Sequence, residues 1–197
     1  MKRITTLILV LLSSAFALAY EPQAGDIVFH TSTSSQSIAV QVATNSPYSH
    51  MGIVLFKDGK PFVFEAVQPV KYTPLEAWFN RGKDKHYVVK RLKSPPSENI
   101  ASLLQAEAKR YVGKSYDLTF EWSDNRIYCS ELVWKMYKSA ADIELAPLAK
   151  LGSFNLSNPV VQAKLKERYG KHIPLNEPVI APAAIFESPL LATAAER

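Results

Sequence analysis

The sequence predicts an α+β fold, a mostly antiparallel sheet packed with helices. Two apolar runs, "HMGIVLF" and "PFVFEAV", flank Lys57-Asp58-Gly59-Lys60, and Asp-Gly between apolar runs is a strong hairpin signal. Strand-like segments dominate the first half, and helical periodicity takes over after Ser97. At 197 residues, with 47% hydrophobic and 21% charged, the chain is long and apolar enough to bury one substantial core.

The elements follow in order. Residues 1–19 stand apart: Lys2 and Arg3, the apolar run Ile4 to Leu12, then Ala17-Leu18-Ala19 as a small-residue cleavage site. This pattern is a secretory signal peptide, too short and wrongly flanked for a membrane span. The mature chain, residues 20–197, shows no repeat, low-complexity tract or dividing linker, and reads as one domain. "GDIVFH" is a strand, and "SSQSIAVQVATN" a short helix with Ile38 and Val42 on one face. After the hairpin, "TPLEAWFNRG" offers Thr73 as N-cap, Pro74 at the first helical position, Glu76 to complete a capping box and Gly82 as the stop. "KHYVVKRLK" is a strand. A helix from Ser97 carries Ile100, Leu103, Leu104, Ala108, Tyr111 and Val112 on one stripe, with Gly113 just beyond. The polar loop "SDNR" leads into a helix opening at Cys129. One more helix, Pro159 to Tyr169, precedes a proline-punctuated tail.

Charge and compartment narrow the function. Removing Lys2 and Arg3 lowers the net charge from +5 to +3. The basic residues are scattered, without the stripe that phosphate-backbone binding requires, so no nucleic-acid partner is expected. Export predicts a secreted protein, periplasmic in a Gram-negative source, with no transmembrane anchor. In that oxidising setting the single cysteine, Cys129, has no internal partner for a disulfide.

Two readings of Cys129 stand side by side. Cys129, Leu132, Val133, Met136 and Tyr137 fall at helical spacing, so the thiol lies on an apolar stripe, as a core cysteine would. It also opens that stripe directly after a polar loop, in the first turn. There, free N–H groups and the helix dipole favour a thiolate. A reactive thiol needs a base. Of four histidines, His86 and His172 sit in charged surroundings, His30 ends a strand, and His50 opens an apolar strand after "NSPYS". With Lys57 paired to Lys60, Gly52 falls opposite Glu65, which puts His50 diagonally across from Glu65 on the same face, about 7–8 Å away. Glu65 interrupts a run that should be buried, and an unpaired buried carboxylate is costly. A histidine partner resolves that cost, provided the register holds. Thiol, imidazole and carboxylate are the parts of a thiol hydrolase triad, and the helix start supplies N–H groups for an oxyanion. No cofactor or metal is called for.

"YSHMGIV", "PFVFEAV", "GKSYD", "YCSELVWKMY" and "IAPAAIFESP" together resemble the YiiX-type bacterial hydrolases. These form a circularly permuted branch of the papain-like NlpC superfamily, in which histidine precedes cysteine in the chain. The resemblance covers nearly all of the mature protein. It implies a circularly permuted papain-like, NlpC-type fold, with Cys129 as nucleophile, His50 as base and Glu65 as the orienting residue. It also implies a substrate-facing set of Tyr116, Tyr128 and Ser130; Tyr116 in "GKSYD" resembles the tyrosine that NlpC-type enzymes place near the oxyanion. Cell-wall NlpC peptidases usually carry Asp-Cys-Ser, whereas Tyr128 precedes the cysteine here. The implied function is therefore an amidase or peptidase acting on a small peptide or amino-acyl substrate. Two alternatives stand beside it: a lipid acyltransferase or ester hydrolase of the lecithin retinol acyltransferase type, and a non-catalytic ligand-binding protein on the same scaffold.

Overall fold

Asp58 and Gly59 both take positive φ, 52° and 73°, the left-handed backbone that a tight two-residue hairpin turn requires. Lys57 lies opposite Lys60 and Ile53 opposite Phe64, the register expected from the sequence. The structure, a computed structural model, describes residues 20–94 and 99–197. The signal peptide read at residues 1–19 lies outside the described residues, as does the helix start expected at Ser97.

Strands β1 (Ile27–His30), β2 (His50–Lys57), β3 (Lys60–Glu65), β4 (Lys71–Pro74), β5 (Val88–Leu92) and β10 (Leu191–Glu196) form one sheet in the order β10-β5-β1-β2-β3-β4. Every neighbouring pair in it is antiparallel. Two short pairs stand outside it: β6 (Ser115–Tyr116) runs parallel to β7 (Arg126–Ile127), and β8 (Ala149–Lys150) antiparallel to β9 (Pro178–Val179). The helices are α1 (Ser35–Thr44), α2 (Leu75–Phe79), α3 (Ile100–Tyr111), α4 (Cys129–Ala141), α5 (Pro159–Tyr169) and α6 (Pro182–Phe186). None among the described residues is long and apolar enough to cross a membrane.

Strand alternation sorts the core into two layers. Ile27, Phe29, Met51, Ile53, Leu55 and Phe64 face α3 and α4, where they meet Leu104, Ala108, Leu132, Val133 and Met136. Val28, Val54, Val63 and Val89 point to the other face and pack with Leu75 and Trp78 of α2. By the same parity His30, His50, Gly52 and Glu65 belong to the α2 face.

Several local expectations change. Thr73 is not a helix cap: it pairs with Val63 as part of β4, and α2 begins two residues later behind Pro74, without a side-chain cap. Strand pairing has overridden the local capping pattern, and Glu76 completes no box. In α1 the buried residues are Ser37 and Ala39, while Ile38 is exposed. Val42 still packs, against a third cluster around Val161 and Leu165. Leu103 and Val112 lie exposed at the borders of the α3 stripe. The tail forms β10, which "LATAAE" hides because alanine is a poor strand former. Pairing with β5 through an irregularity between Thr193 and Ala195 decides it.

Gly52 is the tightest point of the hairpin. A Cβ there would lie 2.4 Å from Val63 Cγ1 and 2.8 Å from the Phe64 carbonyl oxygen. Backbone cannot rotate away as a side-chain tip can. Gly52→Ala should therefore destabilise the protein by about 1–3 kcal/mol, seen as a lower urea midpoint; an unchanged midpoint would contradict this close approach.

Candidate active site

Glu65 ends β3 with its side chain fully buried, and four donors converge on it. His50 Nε2 lies 2.6 Å from Oε2, the Thr73 hydroxyl donates to Oε1 at 2.6 Å, Trp78 Nε1 donates to Oε2 at 2.9 Å, and the Arg81 guanidinium donates to Oε2. Burial alone would raise this carboxyl. The hydrogen bonds and charges of His50 and Arg81 outweigh it and hold Glu65 well below the usual carboxylate range.

With Nε2 committed to Glu65, Nδ1 is the ring nitrogen left for a second partner, and the Cys129 thiol is the neighbour that acts on the ring. Burial pushes the His50 pKa down, but hydrogen bonds to Cys129 and Glu65, with their charges, raise it to about 9. The imidazolium is thus stabilised fully below the free value of about 6.5 and loses its proton as pH rises through about 9. His30 is no rival base. Its ring stacks on Trp78 at 4.1 Å and lies 5.2 Å from His50. Burial, then the positive charge of His50 and Arg81, lowers its pKa to about 2. It stays neutral behind the His50 ring. His172 is exposed, and the His86 ring lies 4.0 Å from Glu196, away from the thiol.

Cys129 is the first residue of α4 and is 4% exposed. Tyr128 holds the N-cap position in extended backbone, and its N–H donates to Glu131 Oε2 at 3.3 Å. Glu131 thus closes the helix start. Burial raises its pKa to about 7 against the Lys135 ammonium 2.9 Å away. It offers no free charge for an amine. The Tyr128 hydroxyl accepts from the Ile180 N–H at 3.1 Å, and the Ser130 hydroxyl donates to the Ile180 carbonyl at 2.7 Å. The two residues flanking the thiol therefore clamp the backbone of one residue, Ile180, between β9 and α6. Tyr116 lies beside the thiol, and burial together with the charge of Cys129 raises its phenol. Gln36 Nε2 donates to the Tyr116 oxygen at 3.5 Å, while its Oε1 accepts from Arg168 at 3.1 Å.

Two cavities meet at these residues. One, about 110 Å³, is lined by Cys129, Tyr128 and Ser130 with apolar side chains that include Phe120, Val161 and Leu165. The other, about 590 Å³, is lined by His50, His30, Arg81, Arg168 and the serines of 32–37. Thr73, Trp78, Arg81 and Gln36 escaped sequence reasoning. One signal was available: a buried carboxylate demands donors, and Trp78 and Arg81 stand one helical turn apart just after the hairpin.

The model of the permuted papain-like amidase family, YaeF/YiiX, C92, matches residues 21–194. The uncharacterized protein YiiX of Escherichia coli K12 is 53% identical over 190 residues, covering 96% of this chain and 94% of that protein. The crystal structure of YiiX from Escherichia coli O157:H7, described as a metalloprotein, superposes with a TM-score of 0.88. Its identity is 53%, over 90% of this chain and 99% of that one. A family model spanning nearly the whole chain, the α+β architecture with its antiparallel sheet and a relative this similar lead to one conclusion: the chain belongs to the permuted papain-like amidase family of the YaeF/YiiX type.

Proposed function

We propose that the protein is an exported cysteine hydrolase that cleaves an amide bond in a small peptide or amino-acyl substrate through a thioester on Cys129. The array Glu65–His50–Cys129 at the start of α4 carries this reading. With the proton already held by His50, the sulfur adds to the carbonyl carbon while N–H groups at the helix start receive the developing oxyanion. The C–N bond then breaks as His50 gives its proton to the departing nitrogen. Water completes the cycle: His50 removes its proton, the hydroxide displaces the sulfur, and the thiol is restored. Glu65 holds the ring and stabilises the imidazolium without itself accepting the proton. Thr73, Trp78 and Arg81 keep Glu65 ionised in a buried position.

A second reading, acyl transfer from or hydrolysis of a lipid-type ester, is favoured by one observation: the cavity beside Cys129 is walled by Phe120, Val161, Leu165 and the Tyr128 ring. Both readings share the thioester and differ in the leaving atom. No step is routed through a metal. Among the described residues no group of three or more His, Cys, Asp and Glu side chains is arranged to hold a metal ion, and His50 and Glu65 are bonded to each other. That donor set does not fit a metal centre.

The pair predicts its own labelling behaviour. Iodoacetamide should modify Cys129 substantially at pH 7, and His50→Ala should slow this at least about tenfold. Equal rates in both proteins would return the thiol to the core reading. His50→Ala should lower kcat/KM by on the order of 10²–10⁴-fold, and Glu65→Gln by less, since the amide keeps a hydrogen bond while losing charge. Full activity in Glu65→Ala would remove that residue from the site.

Tyr128 in place of aspartate, with Glu131 spent on the helix start, leaves no anion to receive a free amine. Free-amine muropeptides should therefore be poorer substrates than, or at best equal to, their N-acetylated counterparts in kcat/KM. A strong preference for the free amine would contradict this reading.

A further inference from the structure

The two cavities divide His50 from Cys129. The apolar one touches Cys129 but not His50, and the polar one touches His50 but not Cys129; Gln36 and Tyr116 stand on the boundary. The chemistry gives this division a meaning. An acyl group remains bonded to the Cys129 sulfur, so its remainder must occupy space adjoining Cys129. A leaving group must receive its proton from His50, so its remainder must occupy space adjoining His50.

From this, and resting on the thioester reading above, we infer that the polar cavity is a leaving-group subsite for an anion, a carboxylate or phosphate carried by the departing amine or alcohol. Two arginines line it and, among the described residues, no aspartate or glutamate does. Arg81 gives one nitrogen to Glu65 and keeps 40% of its side chain exposed. Arg168 is held from α5, its side chain 15% exposed, by Gln36 Oε1, and its Nε is buried without a hydrogen-bond partner. Its nearest carboxylate, Glu167 at 3.6 Å, is itself largely exposed. Two guanidinium groups of this kind suit an oxyanion with two or more acceptor oxygens. The hydroxyl-rich wall, including Ser32, Ser34 and Ser35, adds donors of the same preference. At about 590 Å³ the cavity has room for an amino-acid or small phosphate-bearing group. The substrate class is therefore an apolar acyl group joined to an anionic leaving group, with an N-acyl amino acid as its simplest amide member. The cleavage balances as above: the C–N bond breaks, the nitrogen takes the His50 proton, and the anion stays with the amine.

The test is binding to the full chain carrying Cys129→Ala, which leaves the ligand uncut. N-octanoylglycine, its neutral glycinamide counterpart and its aminomethylphosphonate counterpart are titrated by calorimetry into this protein and into the same protein with Arg168→Met. The expected result is at least tenfold tighter binding of either anion over the neutral amide, with the ratio collapsing toward one in Arg168→Met. A larger advantage for the carboxylate identifies an amino-acid leaving group, and a larger one for the phosphonate a phosphate-bearing one. Equal affinity of all three ligands, or an anion advantage that Arg168→Met leaves intact, would overturn the subsite. Because no bond is broken in this assay, its failure is distinct from failure of the thioester reading, which appears as no acyl mass on Cys129 of the wild type.

Discussion

Burying the Glu65 carboxylate is the constraint on which the site depends. An ion taken wholly out of water costs several kcal/mol unless its lone pairs are filled. Here imidazole, hydroxyl, indole and guanidinium donors fill them. Those donors come from β2, β4, α2 and the turn after α2, so the carboxylate fastens four segments around one point. Removing any donor leaves the charge less compensated. The imidazole gains as much as it gives: pinned through Nε2 to Glu65, it keeps a fixed orientation with its other nitrogen free for a second partner.

Backbone register makes this possible. The tight turn sets Lys57 against Lys60, and two-residue periodicity then carries His50, Gly52 and Glu65 onto one face. Gly52 has no side chain because the neighbouring strand leaves no room for one. A helix beginning at the thiol completes the arrangement. Its start is closed by Glu131 and clamped through Tyr128 and Ser130 to the backbone of Ile180, so the thiol sits on a rigid element.

What was legible in the sequence had a short-range signature. The Asp-Gly turn fixed the register that brings His50 to Glu65, and the polar loop before an apolar stripe marked Cys129 as a helix start. What was hidden depends on partners distant in the chain. Thr73 satisfies every local criterion for a helix cap, yet pairing with Val63 places it in a strand with its hydroxyl on Glu65. Ser130 and Tyr128 line the cavity beside the thiol, and the partner their hydroxyls meet, Ile180, lies about fifty residues later. Arg168 belongs to a helix with an unremarkable polar pattern, and only packing of α5 against α1 brings it to Gln36. The family was legible because several short motifs occur together across the chain.

The central claim is that buried Glu65 and neighbouring Cys129 together keep His50 protonated through neutral pH. Imidazole nitrogen shifts of His50, followed by NMR against pH in the wild type and in Cys129→Ala, test it most directly. The account predicts an imidazolium that persists at pH 7 and titrates near 9 in the wild type, with a lower value once the thiol is gone. A His50 already neutral at pH 7 in the wild type, or a titration unaffected by loss of the thiol, would contradict it.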